Sequence, residues 1–93
     1  MVDVKRELVT IIHAVLPGCR IILFGSRARG THEQGADYDL ALDAGQPIPF
    51  RALMTIQGMI DDSKVPVFVD LVDLNKVPSA LLQQIEQDGI VWI

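Results

Sequence analysis

Apolar residues recur along this chain with two different periods, and the alternation between them sets out its elements. Val4, Leu8, Ile11, Ile12 and Val15 fall at helical spacing, and Pro17-Gly18 ends that pattern. Arg20-Ile21-Ile22-Leu23-Phe24 is a short β-branched run that ends in Gly25-Ser26, the mark of a buried strand entering a tight turn. Ala36-Asp37-Tyr38-Asp39-Leu40-Ala41-Leu42 alternates with period two. After the loop Gly45-Gln46-Pro47-Ile48-Pro49, the residues Phe50, Leu53, Met54, Ile56, Gln57 and Ile60 predict a second long helix ending near Asp61-Asp62-Ser63. Val65 to Val72 is a third strand signal, Pro78 or Ser79 opens a helix carrying Leu81, Leu82 and Ile85 that Gly89 stops, and Ile90 to Ile93 reads as a final edge strand. Helices and strands in this order predict an α/β (α+β) architecture, a small mixed β-sheet with helices on one face and polar chemistry on the other.

Three polar features interrupt the apolar pattern. In the period-two segment Asp37 and Asp39 project to one side while Leu40 and Leu42 project to the other. Two carboxylates so close repel each other unless cations sit between them, and Mg²⁺, a hard ion that takes oxygen ligands, is the natural compensation. Asp70 lies in an otherwise apolar strand, where an unpaired buried carboxylate is expensive. A sheet that sets Asp70 beside Asp37 and Asp39 removes that conflict and completes a two-metal site. Asp73, three residues on, faces the opposite way in a straight strand.

The Gly25-Ser26 turn supplies the complementary half. Gly25 allows a ligand close to the backbone, and Ser26 is placed to cap a short helix beginning near Arg27, whose free amides and dipole favour phosphate. Arg27 and Arg29 add positive charge at the same place. Taken singly, Gly-Ser is also an ordinary turn and the Asp37, Asp39 pair an ordinary solvated strand edge. His32 and Glu33 read as solvent-exposed loop residues, Tyr38 as packing, His13 as a solvated histidine off the apolar face, and Cys19 as a half-buried structural thiol.

With these residues in place the chain resembles the nucleotidyltransferases of the DNA polymerase beta superfamily, and most of all its minimal, single-domain MNT branch. The signature is Gly-Ser, about a dozen residues, Asp-x-Asp, then an Asp on a later strand; Gly25-Ser26, Asp37-Tyr38-Asp39 and Val69-Asp70-Leu71 fill it. Gly35-Ala36 stands where many members carry Ser or Thr before the first Asp. The resemblance spans residues 1–93 as one minimal nucleotidyltransferase domain with a polymerase-beta-like fold. It implies that Asp37, Asp39 and Asp70 are the catalytic, metal-binding triad for two Mg²⁺ ions, and that Gly25, Ser26, Arg27 and Arg29 bind the phosphates of ATP. It further implies an antitoxin paired with a HEPN-domain toxin, in the manner of a type VII toxin–antitoxin system, that transfers AMP to a hydroxyl of the toxin, a tyrosine in some members. Two other functions stay open at this point: an antitoxin that occludes its toxin without chemistry, and a small-molecule nucleotidyltransferase, against which the lack of an acceptor-binding domain counts.

Composition narrows the field. At 93 residues there is room for one domain, which buries roughly 60–65% of its unfolded surface. A net charge of −4 argues against binding nucleic acid, which needs clustered Lys and Arg. One cysteine excludes an internal disulfide. The segment from Met1 to Glu7 lacks the apolar core of a signal peptide and no stretch is long enough to span a membrane, so the expectation is a cytoplasmic protein. An apolar fraction of 49% is high for so small an interior and points to an interface, with a homo-oligomer or a hetero-complex both open and Ile90 to Ile93 one candidate surface.

Overall fold

The structure, a computed structural model, describes residues 2–93. Helix α1 (Val4–Val15) is opened by Asp3, whose side chain accepts from the Arg6 amide at 3.1 Å, and buries Leu8 and Ile12. Strand β1 (Arg20–Phe24) leads through the short helix α2 (Ser26–Arg29) to β2 (Tyr38–Asp43). Helix α3 (Phe50–Asp61), strand β3 (Val69–Asp73), helix α4 (Ser79–Asp88) and strand β4 (Ile90–Val91) complete the chain. One sheet contains all four strands in the order β3-β2-β1-β4, with β2 and β3 parallel and the other two pairings antiparallel. Parallel pairing of β2 and β3 requires a crossover, and α3 provides it.

The two sheet faces differ in kind. Ile21, Leu23, Leu40, Leu42 and Val69 point to one side, where they pack with Leu8 and Ile12 of α1 and Ile56 and Ile60 of α3. The expectation of helices on one face holds for α1 and α3, but α4 lies on the other: Ile85 and Leu81 pack against Ile22, Ala41 and Val72. The strand order explains this correction. From β3 at one edge the chain must reach β4 at the opposite edge, and α1 and α3 already fill the first face. Ala41 is small enough to let α4 approach, and Gly89 lies so close to Ile22 that a Cβ there would meet its Cγ2 at 2.7 Å.

Strand β3 begins at Val69, four residues later than the apolar run starting at Val65 suggests. Pro66 has no amide to donate to a ladder, so residues 65–68 form an irregular approach from which Val65 and Val67 pack onto the α1/α3 core. Ser26 is the first residue of α2 and Gly25 holds the cap position, so Ser26 does not cap the helix as expected. The final pairing extends past β4, because the Trp92 amide donates to the Ile21 carbonyl at 2.8 Å. His13 is partly buried rather than solvated, and its Nε2 donates to the Cys19 carbonyl at 2.8 Å. Cys19 is buried, and burial pushes its thiol pKa up, which keeps the sulfur protonated and unreactive. Among the described residues no helix is long and apolar enough to cross a membrane.

Asp73 faces away from Asp70, as period two requires, and is a structural clamp with only 5% of its surface exposed. Its Oδ2 accepts from the Ile48 amide at 2.7 Å and its Oδ1 from the Asn75 amide at 2.9 Å. It thereby joins the loop before α3 to the turn after β3. Replacing Asp73 with Ala leaves the buried Ile48 amide without a partner, and urea unfolding is expected to show a loss of about 2–3 kcal/mol. An unchanged midpoint would contradict the clamp.

Candidate functional site

The site is assembled by strand register. Asp39 stands opposite Phe24 on β1 and beside Asp70 on β3, so the last residue before the Gly-Ser turn and two carboxylates form one row across the sheet. The next row on the same face is Ile22, Ala41 and Val72, and α4 covers it. The acidic row beyond stays open: Asp70 is exposed and Asp39 half-buried. Asp37 lies one residue before β2, exposed, on the same side as Asp39 by alternation.

Gly25 connects the two halves of the motif physically. Its φ is +75°, a left-handed conformation that glycine adopts without cost, and a Cβ at this position would collide with Oδ2 of Asp39 and meet its Cγ at 3.2 Å. The turn and the carboxylate therefore touch. Helix geometry leaves the first amides of α2 without intrahelical partners, and they lie beside this contact.

Electrostatics marks Asp39 as the stressed member. Its carboxyl is held above the usual carboxylate range, first by partial burial, then by the negative charges of Asp70 and Asp37 and a hydrogen bond shared with Asp70; Arg29 opposes the shift. Neighbouring carboxylates that repel each other offer the oxygen donors that suit a hard divalent cation. Asp39 and Asp70 fit that role as they stand. Asp37 contributes to the repulsion, but among the described residues no group of three His, Cys, Asp or Glu side chains is drawn together closely enough to hold a metal ion.

The two arginines have different roles. Arg29 is exposed and acts on Asp39 electrostatically. Arg27 is engaged locally: its Nε donates to the Ala36 carbonyl at 2.8 Å, and its guanidinium lies 4.1 Å from the centre of the Tyr38 ring, which in turn packs against Trp92 with centroids 6.1 Å apart. Arg27 thus braces the loop that delivers Asp37, a role not legible in the sequence because Ala36 offers only its carbonyl. Tyr38 points away from the acids and packs, as expected; His32 and Glu33 are exposed. Phe68 was not singled out by sequence, yet it flanks Asp70 and is 81% exposed.

Residues 19–93 match the family described as "Polymerase beta, Nucleotidyltransferase". The chain is 32% identical over 75 residues to the probable protein adenylyltransferase MntA of Haemophilus influenzae, an alignment that covers 76% of this chain and 66% of that relative's length. Among solved structures it is similar to a chain of a toxin–antitoxin complex with AMP-PNP, at 27% identity and a TM-score of 0.79, covering 94% of this chain and 70% of the other. It is also similar, at 25% identity and a TM-score of 0.72, to a chain of the complex of tri-AMPylated Shewanella oneidensis HEPN toxin with MNT antitoxin; the match covers 94% of this chain and 66% of that one.

Two measurements check this geometry. Because the folded pKa of Asp39 is raised, its contribution to stability is present below the ordinary carboxylate pKa and lost as pH rises through the folded value. Asp39→Asn, melted with a chelator present, is therefore expected to raise Tm at neutral pH, with the gain fading as pH falls and the wild-type carboxyl protonates. A gain independent of pH, or none, would contradict the repulsion. Gly25→Ala is expected to cost about 1–3 kcal/mol in urea unfolding, and less in an Asp39→Ala background, where the collision is removed and only the left-handed φ remains costly.

Proposed function

We propose a function from the premise that this chain belongs to the polymerase beta nucleotidyltransferase family: transfer of AMP from ATP to a hydroxyl of a HEPN-domain toxin, with the chain acting as its antitoxin. The observation that carries this reading is the contact of Asp39 with the Gly25 turn, with Asp70 beside it on the neighbouring strand. It supports the reading because the backbone that would face phosphate and the oxygen that would bind a cation lie side by side. The AMP-PNP found with one similar complex and the tri-AMPylated toxin found with another support the choice of nucleotide and acceptor class.

In this reading Asp39 and Asp70, together with Asp37, would hold two Mg²⁺ ions. Divalent cations in such a site stabilise the attacking and leaving oxygens of an in-line displacement. Gly25 and the amides at the start of α2 receive the β- and γ-phosphates, with Ser26 beside them. Arg29 neutralises the negative charge that grows on departing pyrophosphate. Arg27 adds to that positive field while its Nε keeps the loop before Asp37 in place. Asp70, at the outer strand, accepts the proton of the acceptor hydroxyl, a tyrosine in the version we favour. The bond from that oxygen to the α-phosphorus forms as the bond to pyrophosphate breaks.

Occlusion without chemistry is the second reading, and the apolar side chains exposed at the sheet edge, Ile90, Val91 and Ile93, favour it as a surface that would bind whether or not transfer occurs. The deciding experiment is transfer of label from α-³²P-ATP with Mg²⁺ onto the co-encoded toxin. Covalent label that Asp39→Asn abolishes is the expected result. A stable complex with no label would establish occlusion.

A further inference from the structure

Phe68 is the most exposed large apolar side chain of the described residues at 81%, and it stands two residues before Asp70 at the entry to β3. Its carbonyl accepts from the Tyr38 amide at 3.0 Å, which ties Phe68 to the start of the β2–β3 pairing. By alternation across Val69, Phe68 shares a face with Asp70 two residues on. Phe68 also lines a cavity of about 450 Å³ with Ile60, Asp61, Val65, Pro66 and Val67. Nothing in the fold needs the ring outside: Val65, Val67 and Val69 on either side turn inward and supply the core contacts of this segment.

The direction of the reaction decides what would cover it. An in-line displacement places the acceptor oxygen and the leaving pyrophosphate on opposite sides of the α-phosphorus. The Gly25 turn, on the β1 side of Asp39, marks the pyrophosphate side, and Asp70, on the β3 side, marks the acceptor side. Phe68 belongs to β3's approach and stands on the acceptor side, away from the turn. We propose that Phe68 is a specificity-determining contact for the acceptor: its ring is covered by an apolar or aromatic side chain at the hydroxyl-bearing segment of the acceptor protein, which it steers onto Asp70. This rests on the nucleotidyl-transfer reading and adds to it a residue for choosing the acceptor. An aromatic ring presents a large, rigid contact at small entropic cost, which suits selection of a flexible segment.

The test is steady-state transfer of AMP from α-³²P-ATP to the purified toxin by wild type, Phe68→Ala and Phe68→Tyr, with KM measured separately for toxin and for ATP. The expected result is a rise of roughly tenfold or more in KM for the toxin in Phe68→Ala, an unchanged KM for ATP, and near-complete recovery in Phe68→Tyr, which keeps the ring. An exposed position makes unaltered melting of both variants the expectation, and melting is recorded alongside. If wild type transfers but Phe68→Ala leaves the toxin KM unchanged, or shifts the KM for ATP instead, the role of Phe68 is overturned while the transfer reading stands. If wild type transfers no label, the transfer reading fails and the role of Phe68 fails with it.

Discussion

The register that sets Phe24, Asp39 and Asp70 in one row is the constraint on which the rest of this structure depends. Side chains alternate across a strand, so a slip of one residue between β1 and β2 would send Leu40 and Leu42 to the acidic face and Asp39 into the core. The hydrophobic core therefore enforces the geometry of the site. Leu40, Leu42, Ile21 and Leu23 are all buried on the face packed by α1 and α3, and burying such side chains is worth about 1.5–3 kcal/mol each, far more than the repulsion between exposed carboxylates can oppose. Stability from one face holds charge in an unfavourable arrangement on the other.

That arrangement has a local consequence and a functional one. Asp39 is crowded by Asp70, Asp37 and the Gly25 backbone, and in a protein selected only for stability such crowding would be relieved by substitution. Crowded carboxylates beside a turn that only glycine fits are the arrangement on which the proposed cation and phosphate binding rests. Helix α4 reinforces the asymmetry by covering the Ile22, Ala41, Val72 row and stopping short of the acids, so that one end of the face is packed and the other open.

The two carboxylates of β3 face opposite ways. Asp70 and Asp73 are both acids in an apolar strand, yet one faces outward toward Asp39 and the other is buried with its oxygens satisfied by the Ile48 and Asn75 amides. The same logic separates the arginines: Arg29 acts on the acidic row, while Arg27 is held by the Ala36 carbonyl and the Tyr38 ring. Residue type alone could not distinguish the members of either pair; their partners do.

Three long helices, the Gly-Ser turn, the Asp-x-Asp strand and the solitary Asp70 were legible in the sequence, because period, breaker residues and isolated charge in an apolar run are local signals. The helix limits at Val4, Phe50 and Ser79 follow directly from them. Less local features were not legible. The late start of β3 came from Pro66, whose missing amide outweighs the β propensity around it. The placement of α4 on the acidic face came from strand order, which sends the chain from β3 at one edge of the sheet to β4 at the other. The collision course between Gly25 and Asp39, the bracing role of Arg27 and the exposure of Phe68 beside Asp70 all join residues far apart in the chain. The sequence by itself determined which elements form and which chemical groups they carry, since these depend on neighbours within a few positions. Only the tertiary structure decided which of those groups meet, because register and packing are set by the whole core at once.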